Sequence, residues 1–209
     1  MNQVMAPMRI ARRLLFGIVL VAATASCGDV VRQGRSPVFL VMDSLTGSSG
    51  GHSGGFGGTL QSDVIVLLSA PAPCTPERRC PVVFSDSGQA VLRLVSKDIS
   101  VAPTSNNTVT ISRYHISFRR ADGRNTPGVD VPYGWDGALT ATVLPAEART
   151  ISFELVRHVT KEEPPLVQLI VNPSIIHTIT EITFYGTDQV GNAVSVAGNM
   201  SIEFGNFGD

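Results

Sequence analysis

Apolar side chains recur at every second position through most of the chain. Near the C-terminus Val194, Val196, Met200, Ile202 and Phe204 alternate with Ser195, Asn199, Ser201 and Glu203. A period of two belongs to a strand with one face buried. The same alternation runs through Leu139, Ala141 and Val143, through Ile151, Phe153 and Leu155, and through Ala90, Leu92 and Leu94. Between 109 and 119 the apolar phase switches from Val109 and Ile111 to Tyr114, Ile116 and Phe118, so one extra residue near Ser112 or Arg113 predicts a β-bulge. Further strands are expected near 37–42, 60–69, 82–85 and 177–187, divided by turn-forming clusters such as "SDSGQ", "TSNNT" and "DQVGN". The segment 164–171, "PPLVQLIV", fits either a short connecting helix or a strand. Eight or nine short strands with almost no amphipathic helix predict an all-β sandwich over residues 37–209, interrupted by a Gly/Ser-rich loop at 47–58 that is expected to be flexible.

The first residues follow a different pattern. Arg9, Arg12 and Arg13 form a basic start, Leu14 to Ala23 an apolar centre, and Thr24, Ala25 and Ser26 a run of small residues. An apolar stretch of about ten residues is too short to span a bilayer core of about 30 Å as a helix, so residues 1–26 read as an export signal. The stretch "TASCGD" resembles the lipobox of bacterial lipoproteins, with Thr24 in the place where leucine is usual. The resemblance implies cleavage before Cys27, a diacylglyceryl group on the Cys27 thiol, a lipidated tether at 27–36, and a membrane partner in the cell envelope. Gly28, rather than aspartate, after the cysteine points to the outer membrane by analogy with lipoprotein sorting in enteric bacteria; the periplasmic and surface faces both stay open.

Acylation of Cys27 leaves Cys74 and Cys80 as an even pair in an oxidising compartment, where disulfides persist. Their context, "APAPCTPERRCPVV", places them across a proline-rich turn. A metal pair is the rival, but zinc takes about four ligands and no histidine or further cysteine lies nearby in the sequence.

Charge narrows the partners. Residues 1–26 carry three arginines and no acid, so their removal takes the formal charge from −1 to −4. The mature chain therefore lacks the basic footprint of a nucleic-acid binder. The residues from Cys27 to Asp209 suit one domain with a proper core. No residue pattern asks for a cofactor.

The stretch "ITFYGTDQVGNAVSVAGNMSIEF" resembles the last hairpin of bacterial immunoglobulin-like and fibronectin type III-like domains, whose turn is matched by Asp188, Gly191 and Asn192. The resemblance implies an immunoglobulin-like β-sandwich, with Gly191 at a positive φ and Asp188 accepting backbone hydrogen bonds across the turn. Domains of this type are mostly adhesive, spacer or ligand-presenting modules, and a fold by itself does not transfer a role.

Two stretches invite a more specific chemistry. "GHSGG", Gly51 to Gly55, fits the G-x-S-x-G elbow with Ser53 as nucleophile, which would make an esterase. That chemistry needs a strand-to-helix turn, whereas the pattern sits in a glycine tract followed by "LQSDVIVLLS", a strand; a non-enzymatic chain is the expectation. His115, His158 and His177 lack the spacing of a metal site, and Arg113, His115, Ser117 and Arg119 read as the solvated face of a strand. The long connection 121–137, "ADGRNTPGVDVPYGWDG", gathers Asp130, Tyr133, Trp135 and Asp136. Long loops on a rigid sandwich commonly carry binding, and an aromatic beside carboxylates suits a sugar ring, a peptide or a calcium ion. The alternative is that Tyr133 and Trp135 fold back to plug the core. The expected role is thus binding, adhesion or structure, toward another envelope protein or a glycan.

Overall fold

A computed structural model describes residues 34–52 and 54–208. The expected export signal (1–26), Cys27 and Ser53 lie outside the described residues. Ten strands form: β1 (Val38–Ser48), β2 (Thr59–Asp63), β3 (Val66–Leu68), β4 (Cys80–Val82), β5 (Asp86–Ser96), β6 (Val109–Arg119), β7 (Trp135–Val143), β8 (Arg149–Val156), β9 (Ile176–Asp188) and β10 (Ala193–Gly205). The expected strand at 60–69 is two strands, because the chain leaves the large sheet at Val64 and Ile65 and re-enters pairing at Val66; this raises the number to ten. The ambiguous segment 164–171 resolves as a 3-10 helix, Leu166–Ile170, and one short helix, α1 (His158–Glu162), precedes it. Leu166 and Leu169 are buried there, so the apolar run caps the core rather than extending a sheet.

A three-stranded sheet in the order β1-β5-β8 faces a five-stranded sheet in the order β2-β10-β9-β6-β7, and β3 and β4 form a separate hairpin. All neighbours run antiparallel except β2, which lies parallel to β10. The chain is an all-β sandwich with an immunoglobulin-like strand order. Its inner faces follow the alternation read from the sequence: Leu92, Leu155, Ile116, Ile182, Phe184, Ile202 and Phe204 are all fully buried. Tyr114, Phe153 and Phe184 meet edge-on or tilted at the centre, with ring centroids 5.2 to 6.0 Å apart. Such arrangements bring the positive edge of one ring to the negative face of another.

The bulge lies where the phase switch places it. β6 skips a residue between Ile111 and Arg113 against both of its neighbours, β7 and β9. The single extra residue returns Tyr114, Ile116 and Phe118 to the core face that Val109 and Ile111 occupied before it.

The β9–β10 turn also follows the residues that suggested it. Gly191 has φ +86°, a region in which a side chain would strain the backbone. Asp188 Oδ1 accepts the N–H groups of Val190 (3.1 Å) and Asn192 (2.8 Å), and its Oδ2 accepts the Asn192 side-chain amide (2.9 Å). Burial alone would raise the Asp188 carboxyl; the donors from Asn192, Ser36 and Val190 outweigh it and hold the group below its ordinary 3.8.

The strand registers also sort the connections between two ends. β1 begins, β5 ends and β9 ends at one end, where Val38 pairs with Ser96 and Val109 with Asp188. The connections 49–58, 64–85, 120–134 and 157–175 gather at the other, while the connection 97–108 lies at the first.

Asp188→Ala removes the hydrogen bonds from Val190, Asn192 and Ser36 and leaves their donors partly buried, so the equilibrium denaturation midpoint should fall by an amount equivalent to about 1–3 kcal/mol. Because the folded carboxyl sits below 3.8, its contribution is present above that pH and fades as the pH drops beneath it. The difference between wild type and variant should therefore shrink in acid, which urea titrations at neutral and strongly acidic pH will read.

Candidate functional site

The chemistry-bearing residues collect at the end with the long connections, in two groups. The first is the loop between β6 and β7. It is shaped by its own hydrogen bonds: the Thr126 carbonyl accepts the N–H groups of Val129, Asp130 and Val131, and Gly128 N–H returns to Val131 O at 2.8 Å. Each acid has an internal partner. Asp122 is pinned by Arg120 and Arg124 at 2.7 and 2.9 Å, and those guanidinium groups hold its carboxyl well below the usual carboxylate range. Asp130 accepts the Thr126 N–H at 3.1 Å. Asp136 lies 3.2 Å from Arg113 and 3.3 Å from His115 on the outer face of the sheet.

The two aromatics of this loop separate. Trp135, the first residue of β7, is buried in the wall of the core, edge-on to Tyr114 at 5.3 Å and under the Arg157 guanidinium at 3.8 Å. Tyr133 is 56% exposed and lies against Gly128, while Val129 projects at 67% exposure. Asp130, Tyr133 and the outward Asp136 therefore remain at the surface or partly exposed, and Trp135 does not.

The disulfide is formed: Cys74 and Cys80 are bonded, with Cα atoms 5.4 Å apart, and Cys80 opens the short strand β4. It closes the proline-rich turn on the same end of the sandwich.

The second group has no counterpart in the sequence reading. Lys161 on α1 reaches into the interior and places Nζ 2.9 Å from Asp86 Oδ1; the two side chains are 1% and 0% exposed. Asp86 Oδ1 also accepts the Gly50 N–H (3.0 Å), and its Oδ2 accepts the Ser62 hydroxyl at 2.6 Å. Beside Ser62 the buried Asp63 takes the Ile65 N–H at 3.3 Å, and its other oxygen is 3.0 Å from His52 Nε2. Burial raises the Asp86 carboxyl against the pull of Lys161, and burial lowers the Lys161 ammonium against the pull of Asp86 and Asp63. His52 lies on the rim, facing an open cleft of about 370 Å³ lined also by Gly47, Ser49, Thr59, Leu60 and Gln61.

Parts of the 47–58 tract join the body of the sandwich. Gly47 and Ser48 belong to β1, Gly47 exchanges backbone hydrogen bonds with Gly57 at 2.8 and 2.9 Å, and Gly50 holds Asp86. The segment after Ser53 leads into strand β2, not into the helix that a nucleophile elbow feeds. Among the described residues no group of three histidines, cysteines or acids is placed to hold a metal ion.

One signal pointed toward the missed cluster. Asp63 stands directly against the apolar run Val64–Leu68, where an acid is costly unless paired. Lys161, inside "HVTKEEPP", and Asp86, inside "SDSG", carry no such mark, because lysines and aspartates in polar surroundings are ordinarily solvated. Comparison with protein-family models returns no match, and comparison with curated proteins returns no significant match.

Trp135→Ala should lower the stability by about 3–5 kcal/mol, the usual cost of emptying a buried aromatic site, whereas Tyr133→Ala should change it by about 0.5 kcal/mol or less. Chemical denaturation of the two variants side by side checks the difference. Gly50→Ala should also destabilise, because its Cβ would stand 2.0 Å from the Ser85 carbonyl oxygen. The backbone must then move away from Asp86, and a loss of about 1–3 kcal/mol is expected, visible as a lower melting temperature.

Proposed function

We propose that this chain is an exported lipoprotein, anchored in the cell envelope through Cys27, whose sandwich serves a non-enzymatic binding, adhesive or structural role. The sequence "TASCGD" at the end of an apolar signal carries the reading of the anchor. Val38 follows Cys27 by eleven residues, which reach at most about 40 Å even when fully extended. The end where β1 begins then faces the lipid, and the end bearing the long connections points away from it.

That polarity favours the tip of the β6–β7 loop, Val129 and Tyr133, as the contact with a partner. An exposed aromatic beside an exposed aliphatic on a loop braced by its own hydrogen bonds presents apolar area with little ordering left to lose. A glycan or a peptide of another envelope protein fits this surface better than calcium does, because Asp122 and Asp136 already face arginines.

Two measurements test the reading separately. Cys27→Ser should move the protein from the membrane fraction to the soluble exported fraction; a variant that stays on the membrane removes the anchor from the proposal. Crosslinking in intact cells, followed by a glycan array with the purified domain, should give a partner or sugar whose capture falls at least several-fold in Tyr133→Ala with the fold unchanged. Equal capture by Tyr133→Ala and wild type would discard the loop tip.

A further inference from the structure

The buried group at the membrane-distal end takes no part in anchoring or in contact through the loop tip, and its composition suits a reaction. Lys161 and Asp86 are held at 2.9 Å with both side chains withdrawn from water. In solution an ammonium and a carboxylate do not condense, because hydration and full ionisation protect both groups and nothing keeps them together. Here the fold supplies the proximity and removes the water.

The surroundings differentiate the two oxygens of Asp86. Oδ1 faces Lys161 and accepts the Gly50 N–H, while Oδ2 accepts the Ser62 hydroxyl. The buried Asp63 lies within electrostatic reach of Lys161, and through His52, 42% exposed, it connects to the cleft. A base is therefore near the amine, a donor near each carboxyl oxygen, and a polar exit leads toward solvent.

We propose that Lys161 and Asp86 join in an intramolecular amide bond, Lys161 Nζ to Asp86 Cγ, formed by the folded chain itself. The Lys161 ammonium passes a proton to Asp63, which hands it on to Asp86 Oδ2, and the free amine attacks Cγ of the resulting neutral acid. Oδ1 carries the charge of the tetrahedral intermediate beneath the Gly50 N–H. The C–Oδ2 bond then breaks, and Oδ2, to which Ser62 donates, leaves as water. Of the three ammonium hydrogens one remains on the amide nitrogen and two depart with Oδ2. Ammonium plus carboxylate gives amide plus water, with no oxidant, no activating group and no net proton.

The two shifts are opposite in sign and alike in effect: burial raises Asp86 toward the neutral acid and lowers Lys161 toward the neutral amine. The product replaces two buried charges by one neutral amide. It links the start of β5 to α1, residues separated by 75 positions, and so ties the loop-bearing end of the sandwich covalently.

Intact-mass measurement of the purified full-length protein is the test. The expected mass is lower by one water than the disulfide-bonded sequence with its processing allowed for, and proteolysis should yield a branched peptide joining the segments that contain Lys161 and Asp86. Lys161→Arg keeps the charge but should restore the full mass. Asp63→Asn should slow the reaction, leaving a mixture of linked and unlinked chains. Wild-type protein with its full mass, and with Lys161 and Asp86 recovered in separate peptides, overturns the proposal without recourse to any variant. Water loss that persists in Lys161→Arg overturns it as well, and complete linkage in Asp63→Asn removes Asp63 as the base.

Discussion

The pair formed by Lys161 and Asp86 governs the arrangement of one whole end of this molecule. Withdrawing either charge from water costs several kcal/mol, and a partner together with further hydrogen bonds must offset that cost. Every element around the pair contributes one of those contacts. β5 begins at Asp86, β2 brings Ser62, the glycine tract brings the Gly50 N–H, and α1 brings Lys161. None of these elements has a reason of its own to stop where it does. α1 has only five residues, too few to be stable alone, and the tract before β2 has little side chain to bury. The ionic group ties them to the sandwich, so a change at Gly50 or Ser62 is felt at Asp86.

The remainder of the body relies on apolar packing instead. Its inner faces are closed by aliphatic side chains from both sheets and by the group of Tyr114, Phe153 and Phe184. The Tyr114 hydroxyl donates to the Glu154 carbonyl at 3.1 Å, so even the polar tip at the centre of the core is satisfied. Its centre is held by apolar contact, whereas the end with the long connections is built around the buried ion pair.

The loop between β6 and β7 shows why composition alone misassigns chemistry. Asp122, Asp130, Tyr133, Trp135 and Asp136 stand within fifteen residues, a density that suggests one site. Folding disperses them: Asp122 turns to two arginines, Asp136 crosses to the face of β6, Trp135 enters the core, and Val129 and Tyr133 are the large apolar side chains of the loop left projecting. The carboxylates shape the loop, and its apolar tip is left exposed.

Most of the architecture was legible because strands write themselves locally. Alternation gave the inner faces, a single change of phase gave the bulge between Ile111 and Arg113, and Asp188 with Gly191 gave the last turn. The pairing of Cys74 with Cys80 spans a short turn and needed no distant information. The division of 60–69 into two strands was not legible, because departure from a sheet depends on what lies beside it. Still less so was the ionic cluster. Lys161, Asp86, Asp63 and His52 come from four separate segments, and in the sequence Lys161, Asp86 and His52 look like solvated residues on their own segments. Backbone pattern depends on neighbours in the chain, and the sequence states those neighbours. The state of a charge depends on neighbours in space and on the exclusion of water, and only the tertiary structure decides those.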